Sequence, residues 1–414
     1  MNDETDSRAA LSSKNFRIYI VGNAISVVGL WIQRLALGWQ AWQLSESPLF
    51  VGLIAGAQFI PMFLLTPFFG VIVDRISSRN GAIVMHAIMA VISASLASLT
   101  LAGSIDTHWL LGLTIVFGIA YSAHSPLRLS LIPDLVKPAQ FPNAVAINSI
   151  VFNASRFIGP GIAGAIVALY GIGFAYLVNA LAYIPVIAAL SLIKPLTSPP
   201  APQKHDGYLE QFLEGLRYTR DHPSIGRVVM IAGVSTFFGR GIIEIFPALV
   251  VMIFNGGSAQ LAAMMAAAGA GAIAASIILS LLMSHRSLPQ IVLVGAIGVG
   301  VSMFIFALVD EFAGGLGVAA LLGFFATMVS LGSQSEMQIK VENELRGRVM
   351  SLWPLVIIGG PAIGSIFAGA LADDVGSTYT LLLFASLSLG LTVLVAVPRR
   401  KGRNTGNANH DDDI

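Results

Sequence analysis

The sequence predicts an all-α polytopic membrane protein, with twelve transmembrane helices in two pseudo-symmetric six-helix bundles. Three observations carry this reading. The chain divides into about twelve apolar runs, each long enough to cross a hydrocarbon core of roughly 30 Å as a helix. When the connections are numbered alternately, every loop lysine and arginine falls on one side. The two halves also repeat one another in motif and in the depth of their charges. Composition agrees: 55% of the residues are hydrophobic and only 11% charged, far from soluble averages.

The first six spans are predicted near 16–44, 49–73, 80–102, 109–133, 142–169 and 174–193, so that residues 1–193 form an N-terminal bundle. A cytoplasmic linker, 194–225, follows. It opens on Lys194-Pro195 and the stiff Pro199-Pro200-Ala201-Pro202, then places Leu209, Phe212, Leu213 and Leu216 at i, i+3, i+4 and i+7, one stripe of a short amphipathic helix that Pro223 ends. Such a helix lies on the inner membrane face; a plain tether is the other reading. The second six spans are predicted near 226–254, 258–284, 289–309, 316–340, 346–371 and 378–397, giving a C-terminal bundle over 226–397 and a cytoplasmic tail over 398–414.

Charge fixes the expected orientation. The connections at 45–48, 103–108, 170–173, 255–257, 310–315 and 372–377 hold no lysine or arginine, although they carry Glu46, Asp106, Asp310, Glu311, Asp373 and Asp374. The opposite set carries all the loop cations, which places both termini in the cytoplasm of a bacterial-type inner membrane. The first thirteen residues lack a cleavable signal pattern, so the first span is expected to act as an uncleaved anchor. The basic residues are spread over short loops, which argues against a nucleic-acid partner. Cysteine is absent, so disulfides, thiolate metal sites and cysteine nucleophiles are excluded. No His-Glu-x-x-His, Gly-x-Ser-x-Gly or phosphate-binding glycine loop is present, so neither an enzyme nor a metal or other cofactor is expected.

Four cations remain inside the apolar runs: Arg34, Arg128, Arg156 and Arg240. An unpaired charge at mid-membrane costs at least about 2.5 kcal/mol and usually marks function. Helix rise puts Arg34 roughly 25 Å beyond Arg17, Arg156 about 21 Å beyond Pro142 and Arg240 about 21 Å beyond Gly226. The acid at comparable depth on those spans is Glu244, one turn beyond Arg240 on the same face. Arg34 and Arg156 show no acidic partner in sequence. These residues, with Gln33 and Asn153, are therefore expected to line a net-positive substrate cavity for an anionic or multiply hydroxylated cargo. The competing reading makes the arginines structural, bonded to helix carbonyls. Glu244 is the leading proton carrier: a cargo that drew Arg240 away would leave its carboxylate to take a proton. A static Arg240–Glu244 ion pair is the rival, with Glu336 and Asp74 as further candidates. His86 and His124 each lie singly in an apolar run and read as hydrogen-bonding partners between helices.

Between the second and third spans stands Gly70-Val-Ile-Val-Asp74-Arg75-Ile-Ser-Ser-Arg79. It resembles the signature loop of the major facilitator superfamily, with Ser78 and Asn80 departing from the usual glycine and basic residue. The resemblance implies gating: Asp74 meets a cation or a helix N-terminus and latches the two halves on the cytoplasmic side. The corresponding Met283-Ser284-His285-Arg286 has lost the acid, so the latch is one-sided. Ser155-x3-Gly159-Pro160-x3-Gly164 is similar to the glycine-proline motif of the superfamily's exporters, and Gly360-Pro361 repeats it in the second half. Such small-residue spacing also serves plain helix packing.

Asn15-Phe16-Arg17, Trp31-Ile-Gln-Arg34, Ser47-Pro48, Arg128 with Ile132-Pro-Asp-Leu-Val136, Pro142-Asn-Ala-Val-Ala-Ile-Asn-Ser149 and Arg346-Gly-Arg-Val349 resemble the enterobactin-exporter and macrolide-efflux branch. That branch implies proton-driven export by alternating access, with a small-molecule cargo, protons and the lipid bilayer as partners of a monomer. Arg128 lacks the glycine that follows it in the broader superfamily; pairing with Asp134 at the inner interface is its expected task. Import or lipid flipping on the same fold, or a non-transporting sensor, are the alternatives.

Overall fold

The computed structural model describes residues 9–73, 76–193, 208–282 and 287–397. Among them no strand occurs, and twelve helices are long and apolar enough to cross a membrane. The first six are α1 (Lys14–Ser45), α2 (Pro48–Val73), α3 (Ser78–Leu101), α4 (Thr107–Leu135), α5 (Phe141–Tyr170) and α6 (Ile172–Leu192). The seventh span, α7, runs in four pieces: Pro223–Ser235, a π-helical turn Thr236–Arg240, Gly241–Glu244 and Phe246–Phe254. Then follow α8 (Ser258–Leu282), α9 (Leu288–Phe306) and α10 (Phe312–Lys340). The eleventh span, α11, joins Asn343–Met350, a second π-helical turn Leu355–Gly359, and Gly360–Val375; α12 is Ser377–Ala396.

The helix starts follow from their residues. Ser13, Ser77 and Asp106 cap α1, α3 and α4 by accepting from the backbone N–H three residues on, which satisfies donors that a helix leaves orphaned. The turns that join α5 to α6 and α11 to α12 are the same device. Gly171 has φ 88° and ψ 171°, and Gly376 has φ 85° and ψ 165°, a conformation that a side chain would strain. Likewise Glu46 ends α1 and Asn255 ends α7, both left-handed at φ 49° and 48°. The repeat read from motifs thus reaches the backbone.

Buried amides tie the first six helices together. Gln33 Oε1 accepts from Ser93 Oγ at 2.6 Å and from Asn179 Nδ2 at 2.7 Å, joining α1, α3 and α6. Tyr176 donates to Gln40 Oε1 at 2.7 Å. In the second half α8 and α9 pack on α10, and α9 on α12. The broken spans approach each other at the backbone: a Cβ on Gly364 would meet the Phe237 carbonyl, and one on Gly241 would meet the Gly364 backbone. Thr236 Oγ1 in the first π turn donates to the Val356 carbonyl in the second at 2.9 Å.

Two seams join the halves, α2 against α11 and α5 against α8. Both are tight toward the end of the bundle away from the chain termini. There a Cβ on Gly52 would meet the Ser365 carbonyl, one on Gly369 the Pro48 carbonyl, and one on Gly164 the Ala262 side chain. Asp373 Oδ2, at the end of α11, accepts from Ser47 Oγ at 2.6 Å and from the Leu49 N–H at 3.2 Å, in the first turn of α2. This end is therefore closed.

Candidate functional site

Below that closure lies a cavity of about 760 Å³, lined by both halves and extending toward the end that carries the termini, as far as Arg128 and Gln334. Its charged lining residues are Arg34, Arg128, Arg156, Arg240 and Glu244. Four guanidiniums against one carboxylate make it basic.

The pairing differs from the expected one. Glu244 is held by Arg34, not by Arg240: the Arg34 Nη2 donates to Oε1 at 2.6 Å and to Oε2 at 2.7 Å. The two side chains are 17% and 11% exposed, so the bond works in a weakly screened place. Reasoning by i+4 spacing sees only neighbours on one helix. Depth along the bilayer shows the partner instead: Arg34 lies 20 residues into α1 and Glu244 21 residues into α7, each roughly 30 Å from the terminal end. This ion pair joins the two halves.

Aromatic faces support the arginines. The Arg34 Cζ sits 4.9 Å from the Trp31 ring centroid and 4.6 Å from that of Phe59. Arg156 lies over the other part of this assembly, 5.8 Å from Trp31. Trp31 packs edge-on against Phe152 at 5.9 Å, and Arg128 lies 5.9 Å from Phe152. Such contacts are worth about 0.5–2 kcal/mol each. Trp31, Phe59 and Phe152 carry no charge and were missed as site residues. The signal was available for one of them: Trp31 precedes Arg34 by three residues, one helical turn.

Arg156 and Arg240 make no ion pair among the described residues and line the cavity beside Glu244. Asn153 lines it too, its amide donating to the Ser149 carbonyl at 2.9 Å. Gln33 does not: it is 1% exposed and bound within the first half as described above, because one residue along a helix turns the side chain by about 100°. Arg128 lines the cavity with its guanidinium 5.9 Å from the Phe152 ring centroid. A smaller chamber of about 50 Å³ lies against the same charged cluster, lined by Pro160, Gly38 and Pro247.

Of the gating residues, Asp74 and Arg75 lie outside the described residues; Gly70 falls in the last turn of α2. Arg79 reaches the end of α6, donating from Nε to the Leu190 carbonyl at 2.6 Å and from Nη2 to the Ser191 carbonyl at 2.7 Å. Gly159 lies against Trp31 and Gly164 against Ala262 of the other half, while Gly360 lies against Thr236 and Pro361 lines the cavity.

The two histidines are not single. His86 and His124 meet edge to face at a centroid distance of 4.5 Å, with Tyr183 beside one and Tyr121 beside the other. His86 Nδ1 lies 2.7 Å from the Ala82 carbonyl and so carries the proton. Counting depth again reveals the pair: on antiparallel neighbours, the two residues stand about 12 and 16 Å from the terminal end.

The family described as transmembrane secretion effector matches residues 5–411. The enterobactin exporter EntS of Citrobacter koseri is 27% identical over 384 residues, covering 92% of this chain and 89% of its own. EntS of Escherichia coli O1:K1 is 27% identical over 405 residues and 94% of each chain. Among solved structures, a bacterial homolog of the human lysosomal transporter Spinster, inward-facing and unoccupied, superposes with a TM-score of 0.72 at 14% identity, over 92% of this chain and 97% of that one.

Proposed function

This chain belongs to the transmembrane secretion effector family of the major facilitator superfamily, and from that premise we propose that it exports an anionic or polyhydroxylated small molecule by proton antiport. The membership makes it a multi-pass transporter of the inner membrane; direction, coupling ion and cargo are our reading. The observation that carries the reading is the cavity of about 760 Å³ with four arginines and one glutamate. Its size suits a small-molecule ligand, its charge suits acidic or hydroxyl-rich groups, and its aromatic wall suits planar rings. The relatives that bear the name enterobactin exporter support the direction. With the termini in the cytoplasm, as the loop cations imply, the cavity opens inward and the Asp373 contact closes the outer face. Outward opening then requires the Arg34–Glu244 bond and the Asp373 contact to yield, while the loop at Gly70, Asp74 and Arg75 and the paired turns at Gly159-Pro160 and Gly360-Pro361 serve the opposite gate and its hinges.

The sign of linkage constrains how Glu244 acts. A cargo that merely stripped Arg34 from Glu244 would leave the carboxylate to bind a proton along with the cargo, which is the linkage of cotransport. Antiport needs the two to exclude each other. A hydroxyl-rich cargo achieves this when its O–H groups donate to ionised Glu244 and its acceptors take Arg156 and Arg240. Binding then requires the proton to leave, and an acidic exterior restores it.

The test is proton release from acid-loaded everted vesicles. Catecholate, macrolide and cationic-dye candidates are compared in wild type and Glu244→Gln. Release triggered by the catecholate and lost in the variant supports the reading. Release with dyes or macrolides instead makes the arginines structural. Proton uptake with the cargo, rather than release, rejects antiport in favour of cotransport.

A further inference from the structure

The helix between the halves, Tyr208–Asp221, has two unlike faces. On one, Gly215 and Thr219 are buried four residues apart. A Cβ on Gly215 would meet the Arg348 carbonyl, and Glu214 forms an ion pair with the Arg348 guanidinium. This face is clamped to the first turns of α11. The other face carries Leu213, Leu216, Arg217 and Arg220, spaced i, i+3, i+4 and i+7, and all four are exposed; each leucine is 49% exposed.

We propose that this outer face binds the anionic phospholipid headgroups of the leaflet at the terminal end of the bundle. The leucines sink into the acyl boundary, and Arg217 and Arg220 meet lipid phosphates. Three features favour a lipid surface. The composition is that of an interfacial helix, with apolar and cationic side chains sharing one face. Arginine stems bury their methylenes while the guanidinium stays at headgroup level. The helix also ends where the membrane begins: His222 caps α7, its Nδ1 accepting from the Ile225 N–H at 3.4 Å, and Pro223 is the first residue of that span. One residue therefore separates the helix from a transmembrane segment. Because its inner face grips α11, bound headgroups restrain the entry of the span that carries the second π turn and Gly360-Pro361.

The chain has no native cysteine, so a single Leu216→Cys labelled with an environment-sensitive fluorophore reports from this face in the full-length protein. It is reconstituted in vesicles of zwitterionic lipid, with or without one-third phosphatidylglycerol, and quenched with lipids brominated on the acyl chain. Each arginine near an anionic surface strengthens attachment on the order of fivefold. The expected result is at least twofold more quenching with phosphatidylglycerol present, and loss of that difference in Arg217→Gln/Arg220→Gln. Both preparations must also match in folded yield and unfolding temperature. Absence of quenching in either composition places the face in water and overturns the proposal. Equal quenching in both overturns its anionic specificity, and with it the role of the arginines. Neither result touches the cargo or the proton.

Discussion

At the scale of single residues, Glu244 and Arg34 are unequal partners. Removing Glu244 leaves Arg34, Arg156 and Arg240 around a cavity with no other acid among its lining residues. Removing Arg34 leaves Glu244 with Arg240 at hand. Breaking one partner of a buried pair costs about 3–5 kcal/mol when the other charge stays uncompensated. Glu244→Gln is thus expected to sit in that range, and Arg34→Gln to cost at least about 1 kcal/mol less, because a substitute cation is present. Thermal unfolding of the purified variants measures both; equal losses would show that Arg240 cannot replace Arg34. Trp31 serves two cations at once, so Trp31→Leu is expected to lose about 1–3 kcal/mol and Trp31→Phe much less, read in the same unfolding assay. The charges themselves were legible in the sequence, since four arginines and a glutamate stand out in apolar runs. Their pairing was not, because two residues 210 apart share no spacing rule. Only a count of depth from the ends of each span brings Arg34 level with Glu244, or His86 level with His124.

At the scale of elements, length and hydropathy give the spans because bilayer thickness fixes how much apolar helix is needed. The predicted span at 142–169 became Phe141–Tyr170. The π turns at Thr236–Arg240 and Leu355–Gly359 were not legible. They need one wider turn, and the few polar residues of these spans are too sparse to mark a shift in helical phase. Glycines of similar appearance also do different work, which only packing separates. Gly364 faces the Phe237 carbonyl inside the second half, whereas Gly164 faces Ala262 across the seam between halves. Gly364→Leu is expected to cost about 1–3 kcal/mol by overpacking and to lower folded yield. Gly164→Leu is expected to spare folding but wedge the closed seam. Its signature is faster labelling of a cysteine placed at Gln58 by a membrane-impermeant maleimide added on the side opposite the termini. If both variants simply misfold, the distinction between the two seams fails.

At the scale of the whole molecule, the closed end depends on few polar contacts. Asp373→Asn removes a charge from hydrogen bonds to Ser47 and the Leu49 N–H, each worth about 1–3 kcal/mol before solvent exposure weakens it. The expected effect is a shift toward the opposite state, seen as faster labelling of a cysteine placed at Gln58, which lines the cavity, by a membrane-impermeant maleimide added on the side opposite the termini. Orientation is checked on the same cysteine-free background. Lys204→Cys should label only from the cytoplasm and Asp310→Cys only from outside; the reverse would overturn the positive-inside reading.

The bond between Arg34 and Glu244 has a consequence for ancestry and assembly. A six-helix unit that once duplicated could have paired with its own copy, two like surfaces meeting about a twofold axis. Here α1 supplies only the cation and α7 supplies the anion. Two copies of the first half would bring Arg34 against Arg34 in the middle of a membrane, with no carboxylate between them. The halves have become complementary rather than self-complementary. Produced as separate polypeptides, the halves are expected to associate with each other rather than with themselves, because only the unlike pair sets a carboxylate beside Arg34.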